Sequence, residues 1–408
     1  MNSDPDRQPP FLSYGFRPFF LLASVYAAFA ILAWTGWLLA HDLPGVMIIP
    51  TFAGAPHLWH GHEMVFGYST AVLAGFMLTA VPSWTGARRI AGPPLVFLAV
   101  LWIAGRVAVW FSASLPAGLV AIIDIGFLPV LGGMVAAGLL VRPAPRNLQF
   151  LVILLLLAAA NGAVHAEWMG LVEDKASQAL GAAIMLLALM VGIIGGRIVP
   201  AFTRNVLIMR GDNALPRSFP AVDYLALGAL ALLMVVTAFG VEGPAVAFIA
   251  FVAAAAHGVR LAFWRGLSTL NSPILWSLHL AYGFLVLSLA ALGLAHLGIG
   301  LGITSAMHLL SVGAIGGMTL AVMSRVALGH TGRALTVSKP IVVAYVLLAA
   351  SALVRAFGVE LLPGHYIAML VVAGVLWVVA FTIFAALYVP ILTGPSVPKP
   401  AGRSPSAA

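Results

Sequence analysis

The sequence predicts an all-α protein that crosses a membrane about twelve times. Of its 408 residues, 62% are hydrophobic and only 8% are charged, whereas a soluble domain carries about 25% charged residues. Mean hydropathy is +1.07. The apolar residues fall into segments of about 20 residues, the length that crosses roughly 30 Å of hydrocarbon. We therefore expect a polytopic membrane protein rather than a soluble multidomain enzyme.

Twelve apolar segments follow one another along the chain. The predicted helices span residues 18–40, 58–82, 94–113, 117–141, 147–170, 177–199, 219–239, 244–264, 272–296, 300–324, 338–358 and 367–392. They form one transmembrane domain, residues 18–392, after a cytoplasmic N-terminal segment, residues 1–17. Residues 393–408 are rich in Pro, Ser and Gly, which predicts a disordered cytoplasmic tail. The first segment is too long for a signal-peptide core, so we expect it to be retained.

The charges in the loops predict the orientation of the chain. Cytoplasmic loops of membrane proteins carry an excess of Lys and Arg. Alternating the twelve segments places most basic residues on one side, namely Arg88, Arg89, Arg142, Arg146, Arg204, Arg210, Arg217, Arg265, Arg333, Lys339, Lys399 and Arg403. Both termini are then cytoplasmic, and the net charge of +8 needs no nucleic-acid partner. The absence of cysteine excludes disulfides, thiolate-bound haem and cysteine-held iron–sulfur clusters.

A weak internal repeat relates the second and tenth helices. The same spacing links His62, Gly67, Thr85 and Gly86 in the second helix and His308, Gly313, Thr331 and Gly332 in the tenth. A partial third copy, without the histidine, lies around Pro200 in the sixth helix. This period predicts a four-helix unit used three times.

Ionisable groups at membrane depth are usually functional. His60, His62 and Glu63 lie at the outer end of the second helix, and His165 and Glu167 lie at the outer end of the fifth. His60 and His62 are two residues apart, so they point about 200° away from each other on a helix. One helix therefore presents imidazoles to two different neighbours. Separately, Arg106 and Asp124 are expected to pair between the third and fourth helices.

Imidazole is a ligand for haem iron, copper and zinc. We predict that His62 and His308 are haem ligands contributed by separate helices. The next candidates for haem or copper are His60, His165 and His279. For each histidine taken alone, a hydrogen-bonded packing role is the alternative. His41, His257, His296 and His365 are placed at segment ends or in loops, where we predict no ligand role.

Three further residues are candidates for cofactor binding or catalysis. Tyr282 and His279 are three residues apart on one face of the ninth helix, and could serve proton or electron transfer. Arg197 follows a glycine-rich stretch that leaves room either for an anionic haem edge or for plain helix packing. His330, in the repeated Thr-Gly turn, binds a propionate or only caps a helix.

Motifs along nearly the whole chain resemble the NnrS family of the bacterial nitric oxide response. They include Phe16-Arg17-Pro18-Phe19-Phe20, Trp59-His60-Gly61-His62-Glu63-Met64, His165-Ala166-Glu167, Gly196-Arg197-Ile198-Val199-Pro200 and His330-Thr331-Gly332-Arg333. The resemblance implies a multi-pass protein of the bacterial inner membrane that contains haem, expected as haem b, and copper, and lessens nitrosative stress. The three predicted four-helix arcs are also similar to the catalytic subunit of haem–copper oxidases and nitric oxide reductases. The chain departs from the oxidase pattern in lacking an adjacent His-His pair in the seventh helix.

These features predict a membrane redox enzyme that reduces or detoxifies nitric oxide or a related small nitrogen oxide. Glu63 and Glu167 are the candidate proton carriers, and Arg197 is the candidate anchor for an anionic haem edge. Electrons would come from quinol or from a separate donor. Two alternatives remain open: a transporter or maturation protein for metal or haem, and a haem-based nitric oxide sensor without turnover.

Overall fold

The structure, a computed structural model, describes residues 8–43, 45 and 50–398. Twelve helices in this part of the chain are long and apolar enough to cross a membrane. They are α1 Phe16–Asp42, α2 Pro56–Thr85, α3 Pro93–Trp110, α4 Ala117–Leu139, α5 Pro145–Trp168, α6 Ala176–Met209, α7 Pro220–Ala238, α8 Pro244–Ala262, α9 Pro273–His296, α10 Ile303–His330, α11 Lys339–Leu361 and α12 Pro363–Thr393. Since the described residues form no strand, the predicted all-α membrane fold is confirmed.

Every predicted segment corresponds to one helix, and the largest difference lies in α6. The sequence predicts an end at Val199, because proline usually interrupts a helix. The helix instead continues through Pro200 to Met209. Proline is tolerated inside membrane helices where neighbouring groups satisfy the freed carbonyl, and α2, α4 and α12 also contain internal prolines.

Three helices form the centre of the bundle. In α2, α6 and α10, 83%, 72% and 67% of the most apolar stretch is buried, against 61% or less in the other nine spans. These three helices touch one another, every helix packs against the next in sequence, and α12 packs against α1. The helices therefore form three arcs of four, namely α3–α6, α7–α10, and α11, α12, α1 and α2 (written α11–α2). Each arc ends in a central helix, as the repeat predicts.

The repeat is also visible in the local structure of α2 and α10. In both helices the turn after the repeated histidine widens into a π-helix, Glu63–Ser69 in α2 and Leu309–Gly316 in α10. Both helices then end at a glycine with a φ of +73°, Gly86 and Gly332. The repeated threonines also match, since the hydroxyls of Thr85 and Thr331 each donate to the carbonyl four residues earlier. π-Helical turns are frequent at functional sites.

The two ends of the bundle differ in charge. The ends of α2, α4, α6, α8 and α10 and the starts of the helices that follow them carry most of the described basic loop residues, and we call this side the arginine-rich end. The opposite side is the arginine-poor end. The cytoplasmic location of the arginine-rich end stays a prediction. Residues 1–7 and 399–408, including Lys399 and Arg403, lie outside the described residues, and the disorder of the tail stays a prediction.

Candidate functional site

A group of buried polar side chains lies between α2 and the three helices that follow it. We call it the carboxylate centre. Its members are at most 6% exposed, although they stand among apolar helices. They are His62 and Glu63 from α2, Arg106 from α3, Asp124 from α4, and Asn161 and His165 from α5.

Asp124 is the hub of the carboxylate centre. Its Oδ2 accepts hydrogen bonds of 2.9 Å from Asn161 Nδ2 and from His165 Nε2, and it lies 3.1 Å from His62 Nε2. Its Oδ1 accepts from Arg106, so the predicted pair between the third and fourth helices is confirmed. Four side chains from three helices thus converge on one carboxylate.

Glu63 completes the centre from the other side of His62. Its Oε1 accepts from Arg106 Nη1 at 2.7 Å and lies 2.8 Å from His62 Nδ1. Its Oε2 accepts from the hydroxyl of Tyr26 on α1. Arg106 therefore bridges both carboxylates, and Tyr26 links the centre to α1.

Both ring nitrogens of His62 face oxygen atoms. Nδ1 faces Glu63, while Nε2 lies 2.9 Å from Asn161 Oδ1 as well as close to Asp124. A neutral imidazole has only one N–H, so one nitrogen would direct a lone pair at an oxygen. In addition, two ionised carboxylates exceed the single guanidinium by one negative charge. A second proton on His62, or a metal cation at Nε2, removes the contact between a lone pair and an oxygen and also balances the excess negative charge.

The opposite face of α2 presents a second imidazole set, which we call the imidazole pair. The rings of His60 and His308 have centroids 6.4 Å apart and planes inclined by 12°. His308 Nδ1 donates to the carbonyl of Thr304 at 2.8 Å, which leaves Nε2 free to bind a metal. His60 Nδ1 is buried without a partner. Arg355 of α11 is close enough for its charge to act on both rings.

A row of aromatic rings, the ring stack, leads from the imidazole pair to the arginine-poor end. Trp34 lies parallel to His60 at 4.9 Å between centroids, and Trp37 lies parallel to Trp34 at 5.6 Å. His41, in the last turn of α1, lies 4.0 Å from Trp37. The stack covers one face of His60 with apolar rings.

A third polar group, the tyrosine centre, lies between α6 and the three helices that follow it. The hydroxyl of Tyr282 accepts from Arg260 at 2.5 Å and lies 2.7 Å from His257 Nδ1. Arg260 also donates to Asp223 and to the carbonyl of Gly192. The placement of His257 at a segment end is wrong, because this histidine lies inside α8, Pro244–Ala262, and is completely buried.

Arg260 also explains the glycine-rich stretch of α6. A Cβ added at Gly196 would lie 1.8 Å from the Arg260 guanidinium, so the open space there is filled by Arg260. The neighbouring Arg197 points elsewhere, and donates to Asn147 Oδ1 at 3.2 Å and to the carbonyl of Arg146 at 2.5 Å. Of the two interpretations of this stretch, the structure shows close packing.

The structure does not bring all of the predicted site residues together. His308 neighbours His60, whereas His62 belongs to the carboxylate centre. His279 pairs with Thr203 at 2.9 Å and not with Tyr282. Glu167 accepts from the backbone N–H groups of Lys175 and Ala176 at the start of α6. His330 lies at the arginine-rich end beside Tyr14 and Phe16.

The chain matches the family described as NnrS protein over residues 10–396. It belongs to the NnrS family. A comparison with curated proteins finds no match. The match to NnrS includes all of the residues of the carboxylate centre, the imidazole pair and the tyrosine centre.

Sequence reasoning missed several residues of these NnrS centres. Tyr26 and the ring stack were not singled out, although Trp34, Trp37 and His41 are spaced three and four residues apart and so share a face of α1. Asp124 was expected only as an ion-pair partner of Arg106. Its position at the meeting point of two histidines depends on the packing of α4 against α2 and α5, which no local pattern encodes.

Proposed function

We propose that this member of the NnrS family is a haem- and copper-containing redox protein of the bacterial inner membrane that acts on nitric oxide or a related small nitrogen oxide. The observation that carries the proposal is the pair of imidazole sets on opposite faces of α2. One set includes a buried carboxylate, and the other consists of two facing histidines. A haem and a separate metal ion would need two such sites.

The carboxylate centre fits a metal ion. One donor atom from each of His62, Asp124 and His165 lies within 4.8 Å of the others. Two imidazoles and one carboxylate suit iron, zinc or copper. The excess negative charge of the centre favours a cation, since an unbalanced charge inside a membrane is costly. The Glu63 carboxylate on His62 Nδ1 would fix the orientation of the ring, as carboxylates beside metal-bound histidines commonly do.

His60 and His308 of the imidazole pair would hold the iron of a haem, since imidazoles from separate helices are common haem ligands. Their ring centroids lie 6.4 Å apart. The unpartnered Nδ1 of His60 and the free Nε2 of His308 are the nitrogens that would bind. Arg355 supplies a positive charge near both rings, which suits an anionic propionate.

When bound, haem would supply one-electron transfer and the metal ion a place for a diatomic ligand. The residues of the chain would supply protons and exclude water. Tyr26, Glu63 and His62 form a continuous hydrogen-bonded row that can hold a proton at His62 Nδ1, against the Glu63 carboxylate, while Nε2 would bind the proposed metal. Trp34 covers His60 and keeps water from one face of its ring. Electrons would come from quinol in the lipid bilayer or from a separate donor.

The proposal is tested on the purified full-length protein. We expect a haem spectrum, one copper per chain by mass spectrometry, and anaerobic loss of nitric oxide when a quinol is supplied. Asp223→Asn serves as a control, because it changes a carboxylate that belongs to neither proposed cofactor site. It should retain both cofactors.

Other results would exclude the proposal in distinct ways. Colourless protein without metal, isolated from haem-replete and copper-replete cells, would reject a cofactor-containing protein. Haem with nitric oxide binding but no turnover with any donor would indicate a sensor. Copper that exchanges across a vesicle membrane, without haem, would indicate a transporter or maturation protein.

A further inference from the structure

A cavity of about 460 Å³ opens at the arginine-rich end of the protein. It lies between the start of α1, the segment after α2, the end of α10 and the segment after α12. Its wall at His330 is 22 residues along α10 from His308, which is about 30 Å at about 1.5 Å per residue. A haem held by the imidazole pair cannot place a propionate there.

The wall of the cavity is basic and polar. Arg17, Arg89 and His330 contribute to it, together with the hydroxyl-bearing side chains of Ser13 and Ser396. None of the described residues that line it is acidic. A cavity of this kind, at the level where helices leave the membrane, has the composition of a site for an anion.

Two guanidinium groups at this place have buried N–H donors without acceptors. Arg17 is only 1% exposed, and its Nη atoms donate to the carbonyls of Leu392 and Gly394 at the end of α12 and to Ser396 Oγ. Its Nε has no partner. Nη1 of Arg333, the residue after Gly332 of the cavity wall, is also buried and unpartnered.

Unsatisfied donors of this kind point to a missing acceptor. A buried charged group with an unmade hydrogen bond is costly, and most buried donors in proteins are satisfied. Arg17 is already held in place by the end of α12, so binding of a ligand would not have to order it. Phosphate oxygens match the several fixed donors of guanidinium groups better than any neutral acceptor does.

We propose that this cavity binds a phosphate group, with Arg17 in its wall and Arg333, the next residue after Gly332 of the wall, as the principal donors. Its position at the membrane interface, next to the helix ends, makes an anionic phospholipid head group the first source to test. A soluble phosphate compound is the second source of the same chemistry. The proposal is independent of the haem and metal centres, because the cavity shares no residue with them.

The test measures lipid binding to the full-length protein by native mass spectrometry in a neutral detergent. The probes are phosphatidylglycerol, phosphatidylcholine and inorganic phosphate. We expect one phosphatidylglycerol per chain to be retained in preference to phosphatidylcholine. Arg333→Gln should weaken this binding about tenfold, since it removes a charge-assisted hydrogen bond. Arg142→Gln is the matched control, because Arg142 is an exposed arginine at the same end of the protein.

Each outcome decides the proposal. If inorganic phosphate at millimolar concentration binds or displaces the lipid, the site is a phosphate site supplied from solution as well. If Arg333→Gln does not fold, Arg89→Gln replaces it, with the same expected weakening. The proposal would be overturned if the wild type, Arg333→Gln, Arg89→Gln and Arg142→Gln all bound phosphatidylglycerol equally and all bound phosphate equally. Haem and copper content, measured on the same samples, should not change.

Discussion

Asp124 is the residue on which the charge and geometry of the carboxylate centre depend. An amide in its place offers one acceptor oxygen and one donor NH₂ group. The substitution Asp124→Asn therefore leaves at least one buried donor without an acceptor, at a cost of about 1–3 kcal/mol. It also removes the negative charge that favours a bound cation. We expect a lower unfolding temperature in detergent and loss of copper, measured by calorimetry and by metal analysis.

The matched control for this change is Asp223→Asn. Asp223 also accepts a hydrogen bond from an arginine, Arg260 at 2.7 Å, but its side chain is 32% exposed. Water can replace the lost acceptor there, so the loss of stability should be smaller and copper should stay bound. Full copper occupancy in Asp124→Asn would contradict the assignment of the metal to the carboxylate centre.

His60, His62 and His308 give a prediction that separates the two proposed cofactors. His60→Ala and His308→Ala should each remove or shift the same low-spin haem spectrum, since the two rings face each other. His62→Ala should lower the copper content and leave that spectrum in place. Electronic absorption spectra of the reduced proteins and metal analysis of the same samples measure both effects.

An alternative pairing predicts a different pattern in these variants. If His62 and His308 held the haem, as the repeat alone suggests, His62→Ala and His308→Ala would behave alike and His60→Ala would keep its haem. Identical spectra in all three variants and the wild type would reject both pairings. The variants thus distinguish the ligand pair that the repeat suggests, His62 and His308, from the pair that the side-chain contacts suggest, His60 and His308.

Single residues show how far the sequence determines the site. The separation of His60 and His62 follows from helical periodicity, and the structure confirms that they face different neighbours. The partners they face were not predictable. By position in the repeat, His308 corresponds to His62, yet the ring next to His308 is that of His60. The reason is that α2 lies between two arcs and contributes one histidine to each side.

At the level of elements, the sequence repeat in α2 and α10 corresponds to a π-helical turn that both helices share. A π-helical turn after His62 or His308 rotates the preceding turn relative to the rest of the helix. The orientation of these histidines then depends on the π-turn, which the sequence analysis did not foresee. In a straight α-helix Glu63, three residues after His60, would lie on the face of His60, whereas the carboxylate lies against His62.

The equivalent glycines at the ends of α2 and α10 provide a prediction about stability. Gly86 and Gly332 have the same φ of +73°, which costs a residue with a Cβ about 1–2 kcal/mol. A Cβ at Gly86 would meet no atom within 4 Å, while one at Gly332 would lie 2.4 Å from the carbonyl oxygen of Val397. Gly332→Ala should therefore lower the unfolding temperature more than Gly86→Ala does.

Thermal unfolding of both variants in the same detergent measures this difference. Gly36→Ala is the control, because Gly36 lies inside α1 with open space around its Cα and an ordinary helical conformation. It should be neutral or slightly stabilising, as alanine favours helix. Equal losses for Gly86→Ala and Gly332→Ala would show that the contact with the segment after α12 does not contribute.

The number and order of the helices were predictable because the constraint is physical and local. A helix must be long and apolar enough to satisfy its backbone inside a membrane, and each of the twelve segments meets this requirement. The end of α6 was not predictable in this way, because Pro200 interrupts the pattern without ending the helix.

Across the whole molecule, the three polar groups follow the threefold arrangement of the helices. The carboxylate centre lies between α2 and the arc α3–α6, and the tyrosine centre lies between α6 and the arc α7–α10. The imidazole pair lies between α10 and the arc α11–α2. Each central helix and the arc that follows it thus enclose one polar group. The three groups differ in chemistry, so the repeat determines where polar residues lie and the individual sequences determine what they can bind.

The orientation of the whole bundle is a prediction that the chain makes easy to test. Since the sequence contains no cysteine, a single introduced cysteine is the only thiol. Leu171, 70% exposed, lies between α5 and α6 at the arginine-poor end, and Leu267, 84% exposed, lies between α8 and α9 at the arginine-rich end. If the arginine-rich end is cytoplasmic, a membrane-impermeant maleimide should label Leu171→Cys in intact spheroplasts and Leu267→Cys only after permeabilisation. The reverse pattern would place the carboxylate centre and the ring stack towards the cytoplasm, and would move the phosphate-binding cavity to the outer leaflet.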